Sequence, residues 1–459
     1  MSTILAIDLG TTFFKFALFD DCGRLCGVHR VRLPMVFRSQ GWMELPAEAF
    51  CHSIEQGLTA LRACDGCSFD DVAAITFATQ TNSFVLLDAN DRPLTSLILW
   101  PDERAKAMEA EVRRRGETPD FRAKTGIPEL TFEFMVAKLL WLQEESPETW
   151  KPAARIDLIS DYLTFLMTGR HVTEAGAAGL TGLLDIHSCQ WRPTMLASFG
   201  LSASQLPKVV RAGTDLGPIL PEAARQFGLP STCRFVVGCL DQYAGAIGAG
   251  NVAPGMVSET TGTVLATVRC SDRFSTSLDN AVYQGPAFHP NWYWRMVFGN
   301  TSARYLQWYC EQLPDQPSFD QLTAEAATIG QNADGLRLNT DAPLTDVAAV
   351  FPGLTKSHTR GHFVRCILEA VAGALRDQVE ALCDDTSPKE IRCAGGGARS
   401  DLWLQIKADR LKTTTVATTC PEPTSLGAAI LAKAALDGAD VRMIADKWVA
   451  LKTPHRPMA

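Results

Sequence analysis

The sequence has no apolar run long enough to span a bilayer, so no transmembrane segment is expected. It also has no basic excess. A net charge of -8 and a pI near 5.6 speak against a nucleic-acid or acidic-membrane partner. The chain enters an apolar strand directly after its first residues, so no signal peptide is expected and a cytoplasmic setting follows. A metal cluster is missing too. Cys64-Asp-Gly-Cys67 has CxxC spacing and Cys22 and Cys26 lie upstream, but no second CxxC or Cys/His set completes a zinc or redox site. The fourteen cysteines are scattered along the chain, and reduced thiols are the expectation.

At 459 residues the chain is too long for one ordinary core, and 46% hydrophobic content supplies two. Apolar residues from Ile4 climb to Asp8, a Gly10-Thr11-Thr12 turn follows, and a second apolar run containing Lys15 ends at Asp20. This reads as a β-hairpin. Its turn can cradle phosphate with backbone amides, and Gly10 lets the backbone approach a ligand closely. Asp8 can hold the metal ion that accompanies a nucleotide, and Lys15 can bring positive charge. Taken alone, the stretch reads equally well as a hairpin with a structural aspartate. A second run, Gly255 to Val268, again passes from strand to strand through Thr261-Gly262-Thr263. Two such hairpins, one per half, suggest a duplicated architecture gripping a nucleotide between its halves.

Between them, an apolar strand (Phe235–Val237) delivers Asp241, and a small-residue helix through Ala244, Gly245, Ala246 and Gly248 follows. In isolation Asp241 reads as a helix cap. Beside two phosphate hairpins it reads as the carboxylate that takes the proton of a hydroxyl attacking a γ-phosphate, with Gln242 next to it for a substrate hydroxyl. Later, Glu390–Ala394 forms a strand before Gly395-Gly396-Gly397-Ala398-Arg399-Ser400. Glycines there clear room for a flat base, and Ser400 can cap the helix that follows. Gly361–Leu382 has apolar residues at helical spacing, and Glu422–Ala429 opens another small-residue helix.

These blocks, in this order and over nearly the whole length, resemble an FGGY-family carbohydrate kinase of xylulokinase-like type, within the actin-like ATPase superfamily. The resemblance implies an α/β fold with two actin-like (ribonuclease H-like) domains and an interdomain catalytic cleft. Residues 1–248 would carry the sugar site and catalytic base, and residues 249–459 the nucleotide site. It implies ATP and Mg²⁺, with the metal at Asp8 and Asp241. The nucleotide would meet Gly10, Thr11, Thr12, Lys15, Thr261, Gly262, Thr263, Gly395, Gly396, Gly397, Ala398 and Ser400.

The resemblance places the sugar at two strand ends, against Gln80, Asn82, Trp100, Asp102 and Gln242. A polyol needs such a lining, with several hydrogen-bonding groups and a flat apolar wall. For Asp102 the plainer reading is an acid at the start of a helix over Glu103–Arg113. Glycerol kinases place Arg-Glu after the glutamine and xylulokinases usually Met-His, whereas this chain has Thr81-Asn82. Glycerol is disfavoured and xylulose is not secured. The chain also departs from the family between Asn339 and Leu354. Three readings stay open: a ketose kinase, a kinase of a linear polyol or related small hydroxylated molecule, and a non-transferring actin-like ATPase or sugar sensor. Dimers are common among such enzymes, and no interface is legible.

Overall fold

The computed structural model describes residues 2–38, 41–384 and 386–458. Its first half is built on a seven-stranded mixed sheet. Strands β1 (Thr3–Leu9), β2 (Phe13–Phe19) and β3 (Leu25–Arg32) form an antiparallel meander. After helix α1 (Ala47–Arg62), strand β4 (Val72–Thr79) pairs parallel to β1. Strands β5 (Asp215–Pro218), β6 (Arg234–Val236) and β7 (Cys239–Leu240) extend the sheet, with β6 and β7 both parallel to β4. Both faces of β1 and β4 are covered, which is why they read as near-continuous apolar runs rather than alternating ones.

Helix α2 (Asp241–Gly248) follows β7 directly. The second half then repeats the scheme. Strands β8 (Val257–Thr261) and β9 (Leu265–Ser271) form an antiparallel hairpin, extended by β10 (Tyr283–Pro286) and β11 (Tyr293–Gly299) in the order β10-β11-β9-β8. Beyond the long helix α3 (Arg360–Leu382), strand β12 (Glu390–Ala394) pairs parallel to β8 just as β4 pairs with β1. Helix α4 (Asp401–Leu411), strand β13 (Thr414–Ala417) and helix α5 (Pro423–Asp437) complete it.

The chain's last part crosses back. α5 shares a core with β1, β4 and α2 of the first half, burying Leu426, Ala428, Ile430 and Leu431 there. Gly248 and Gly427 make that crossing possible, because a Cβ at either would collide with the other helix's backbone. Tyr305, Trp308 and Tyr309 are buried in the second half's core, and the latter two pack with Phe351 of the divergent 339–354 segment. The expected helix from Glu103 does not form. A 3₁₀ turn at Lys106–Met108 leads into a helix only at Glu109–Gly116.

Candidate active site

A cavity of about 300 Å³ opens where the two halves meet, lined by Asp8, Gly10, Thr11, Thr12 and Lys15 from the first hairpin, Asp241, Gln242 and Gly245 from α2, Thr260 from the second hairpin and Thr424 from α5. Asp8 and Lys15 are cross-strand partners, so their side chains emerge on the same face. Lys15 Nζ donates to Asp8 Oδ2 at 3.0 Å and lies 3.5 Å from Glu422. Glu422 also holds Arg30. Burial pushes the Asp8 carboxyl above its ordinary value although Lys15 opposes the shift. Burial pulls Lys15 down, but Asp8 and Glu422 outweigh it and the net shift is upward.

Asp241 is the first residue of α2, delivered by β7 to the cavity floor. Its carboxyl is pushed up to about 7, first by burial and then by the nearby Asp8 charge; the backbone N–H of Gln242 and Lys15 act against the shift. A carboxyl titrating near 7 is matched to taking a proton at neutral pH.

The second hairpin divides by strand alternation. Thr260 faces the cavity. Glu259 and Thr261 face the opposite way, into a fully buried cluster with Lys407 of α4. Lys407 Nζ donates to Glu259 Oε1 at 2.6 Å and to Thr261 Oγ1 at 2.9 Å, and Thr261 Oγ1 donates to Glu259 Oε2 at 2.6 Å. The Thr261 hydroxyl is therefore inside, not at the cavity, which corrects that expectation. Gly262 and Thr263 lie at the turn, where the Gly262 carbonyl accepts from Ala303 and that of Thr263 from Ser302 Oγ.

The glycine loop packs on this hairpin. Gly395 has φ +77°, and a Cβ there would press to 2.9 Å on the Thr261 carbonyl; one at Gly397 would stand 2.8 Å from the Thr261 Cβ. Gly396 faces open space. Ala398 is buried, and Ser400 Oγ accepts from the Trp403 N–H as the cap of α4, so its hydroxyl serves the helix.

The expected sugar residues separate into two groups. Trp100 remains part-exposed with its Nε1 donating to Thr11 Oγ1 at 3.0 Å, and its carbonyl is fixed by the buried Lys138 ammonium at 2.8 Å. Burial pushes Lys138 down to about 7. Gln80 clamps the first turn: its Nε2 donates to the Gly10 carbonyl at 3.1 Å and its Oε1 accepts from Thr11 and Ser83. Asn82 and Asp102 do not present free groups. Asn82 bridges the Leu180 carbonyl and the Met135 N–H. Asp102 is wholly buried, and its oxygens accept from the N–H of Met43 and Arg104 and from the Arg104 guanidinium. Arg104 in turn meets Glu44 and stacks over Trp42 at 4.4 Å. Asp102 is thus a positioning acid beneath the Trp100 turn rather than a substrate acceptor. Glu422, Thr424 and Lys407 were not found from sequence, since each meets the site across a long separation that no local motif marks, and Arg104 was missed although it binds Asp102 two residues away.

Residues 3–248 match the N-terminal domain of the FGGY family of carbohydrate kinases, and residues 228–436 match its C-terminal domain. The chain belongs to the FGGY family. A xylulose kinase of Bacillus subtilis (strain 168) is 27% identical over 440 residues, 94% of this chain and 88% of that protein. A glycerol kinase of Janthinobacterium sp. (strain Marseille) is 30% identical over 452 residues, 94% and 89% respectively. The solved xylulose kinase of Rhodospirillum rubrum superposes with a TM-score of 0.87 at 27% identity, covering 99% of this chain and 94% of that one. This FGGY kinase is therefore a phosphotransferase with an alcohol acceptor and the family's two-domain α/β fold of actin-like halves, and it uses ATP with Mg²⁺.

The residues fit a magnesium nucleotide. Asp8 and Asp241 bring two carboxylates to one cavity with one cation, Lys15, beside them. Among the described residues no group of three His, Cys, Asp or Glu side chains assembles. A small cation here would complete its shell with phosphate oxygens and water, as Mg²⁺ ordinarily does. No helix of the described residues is long and apolar enough to cross a membrane.

Proposed function

We propose that this FGGY kinase transfers the γ-phosphate of ATP to a hydroxyl of a small ketose, a pentulose being the first candidate, with Asp241 as the general base. The observation that carries the reading is the Asp241 carboxyl on the floor of the cavity, raised to about 7 and facing the first hairpin. Asp241 takes the hydroxyl proton as that oxygen attacks the terminal phosphorus and ADP departs. The Gly10-Thr11-Thr12 turn and the Gly262-Thr263 turn clasp the phosphates, Lys15 balances their charge, and Gly396 leaves the backbone open to the base. Mg²⁺ near Asp8 and Asp241 supplies charge neutralisation on the triphosphate. Trp100 offers the flat wall for the sugar and Gln242 a polar partner beside the base. Residues 1–248 carry the sugar side and 249–459 the nucleotide side, with α5 returning to the first.

The xylulose-kinase relatives and the absence of an Arg-Glu pair after Gln80 favour a ketose. A linear polyol is the second reading, supported by the glycerol kinase at 30% identity. A cytoplasmic homodimer belongs to the same proposal, and sedimentation checks its oligomeric part. The deciding experiment is ADP release in a coupled assay across a panel of ketoses and linear polyols. Release dependent on a pentulose supports the first reading, and dependence on a polyol supports the second. Release without any sugar, or sugar binding without release, would replace both with an ATPase or a sensor.

A further inference from the structure

A second cavity, of about 650 Å³, lies in the C-terminal half between α3, the end of α4 and the turn at Gln331–Gly335, and shares no residue with the cleft. Five cations and two carboxylates line it, in a protein whose net charge is -8. Both carboxylates are already engaged. Glu369 accepts the Asn332 N–H at 3.0 Å and pairs with Arg365 at 2.6 Å. Asp409 accepts from the Met458 N–H at 2.7 Å and from Gln405 at 2.9 Å. Arg376 is paired with Asp377. That leaves Arg337, Arg410 and Lys412, for which no described carboxylate lies within ion-pair distance. Arg410 and Lys412 complement the carbonyl end of α4; Arg337 joins them at the same cavity from another segment, which helix-dipole complementation does not explain.

The rim is also conformationally unusual. Asn332, Ala333 and Asp334 take φ of 65°, 44° and 52°, three successive left-handed residues without a glycine. Such a run is held only by its surroundings, here the Glu369 clamp and an Asp334–His362 contact at 3.1 Å. It brings Gln331 and Asn332 to the cavity lining.

We propose that this cavity is a binding site for a phosphorylated small sugar, with Arg337, Arg410 and Lys412 receiving the phosphate and the Gln331 and Asn332 amides meeting hydroxyls. Its volume suits a small metabolite. Phosphate recognition by guanidinium groups supplies the charge-assisted hydrogen bonds. No aromatic side chain lines the cavity, so it has no stacking surface for a base, and this favours a sugar phosphate over a nucleotide.

The test is calorimetric titration of the full chain with glucose 6-phosphate, inorganic phosphate and AMP, repeated on R410A/K412A and on Asp241→Asn. Binding of glucose 6-phosphate is expected to weaken on the order of tenfold or more in R410A/K412A, the loss of charge-assisted contacts. It should be unchanged in Asp241→Asn and should fall as salt is raised. Basal ADP release by R410A/K412A should match the parent, which shows the fold intact. Equal affinity in parent and R410A/K412A, or loss of binding in Asp241→Asn, would place the ligand elsewhere and overturn the site. Tighter binding of AMP that is lost in R410A/K412A, or inorganic phosphate binding as well as the sugar phosphate, would overturn the ligand class; AMP binding that R410A/K412A retains belongs to the cleft. None of these outcomes depends on which sugar the cleft phosphorylates.

Discussion

The two glycine-threonine hairpins share a strand scheme but use their charges differently. In the first, Asp8 and Lys15 are paired at 3.0 Å at the edge of the cavity, and Lys15 stays part-exposed. In the second, Glu259 and Lys407 are paired at 2.6 Å with no solvent exposure at all. The first hairpin presents its charges to the cavity. The second buries its Glu259 behind the strand against Lys407 of α4 and turns Thr260 to the cavity. One copy of a duplicated element keeps its chemistry at the surface of the site, while the other uses the same residue classes to fix a turn in place. A buried pair of this kind is weak evidence for net stability, but removing one partner leaves an uncompensated charge.

The largest effect that tests this contrast lies at the floor between the hairpins. Asp241→Ala should lower turnover by about a hundred- to ten-thousand-fold while circular dichroism and melting stay near normal. Near-normal turnover would remove the base assignment.

Lys407→Met should cost about 3–5 kcal/mol in denaturant unfolding, as a buried carboxylate loses its partner. Lys15→Met, at the partly exposed pair, should cost well under that and instead raise the KM for ATP. If the two variants lose similar stability, the distinction between presenting and holding hairpins fails.

Titration gives a third test. Between its ordinary value of 3.8 and about 7, Asp241 holds its proton in the folded protein but not in the unfolded one. The unfolded state therefore binds fewer protons in that window, and stability attributable to this group falls as pH rises through it. Activity that needs the ionised base moves the other way, rising with pH through about 7. Asp241→Asn should flatten its share of the stability slope; an unchanged slope would assign the titration to other buried acids such as Glu174, which is also pushed up to about 7 by burial.

The smallest expected effect is at the glycine loop. Ser400→Ala should cost about 1 kcal/mol for loss of a helix cap and leave the KM for ATP within about twofold. A larger rise in KM would restore Ser400 as a nucleotide contact.

Much of the architecture was legible in the sequence because short apolar runs ending in glycine-threonine turns are strong local signals. The strands of the first hairpin at 3–9 and 13–19, the helix at 360–382 and the strand at 390–394 fall within a residue or two of where the sequence pattern sets them. The cavity was legible where its residues cluster in sequence, as Asp8 to Lys15 and Asp241-Gln242 do. It was not legible where a side chain's partner lies far along the chain. Asp102 meets Met43, Asn82 meets Leu180, and Thr261 meets Lys407. A motif identifies a polar residue but does not say whether its oxygens are already engaged from behind.

The return of α5 to the first half has a consequence for biosynthesis. Residues 426–431 fill a core whose other walls, near Ile4 and Ala74, leave the ribosome hundreds of residues earlier. The nascent first half must wait with that wall unsealed, exposing apolar surface that a chaperone can cover until α5 emerges.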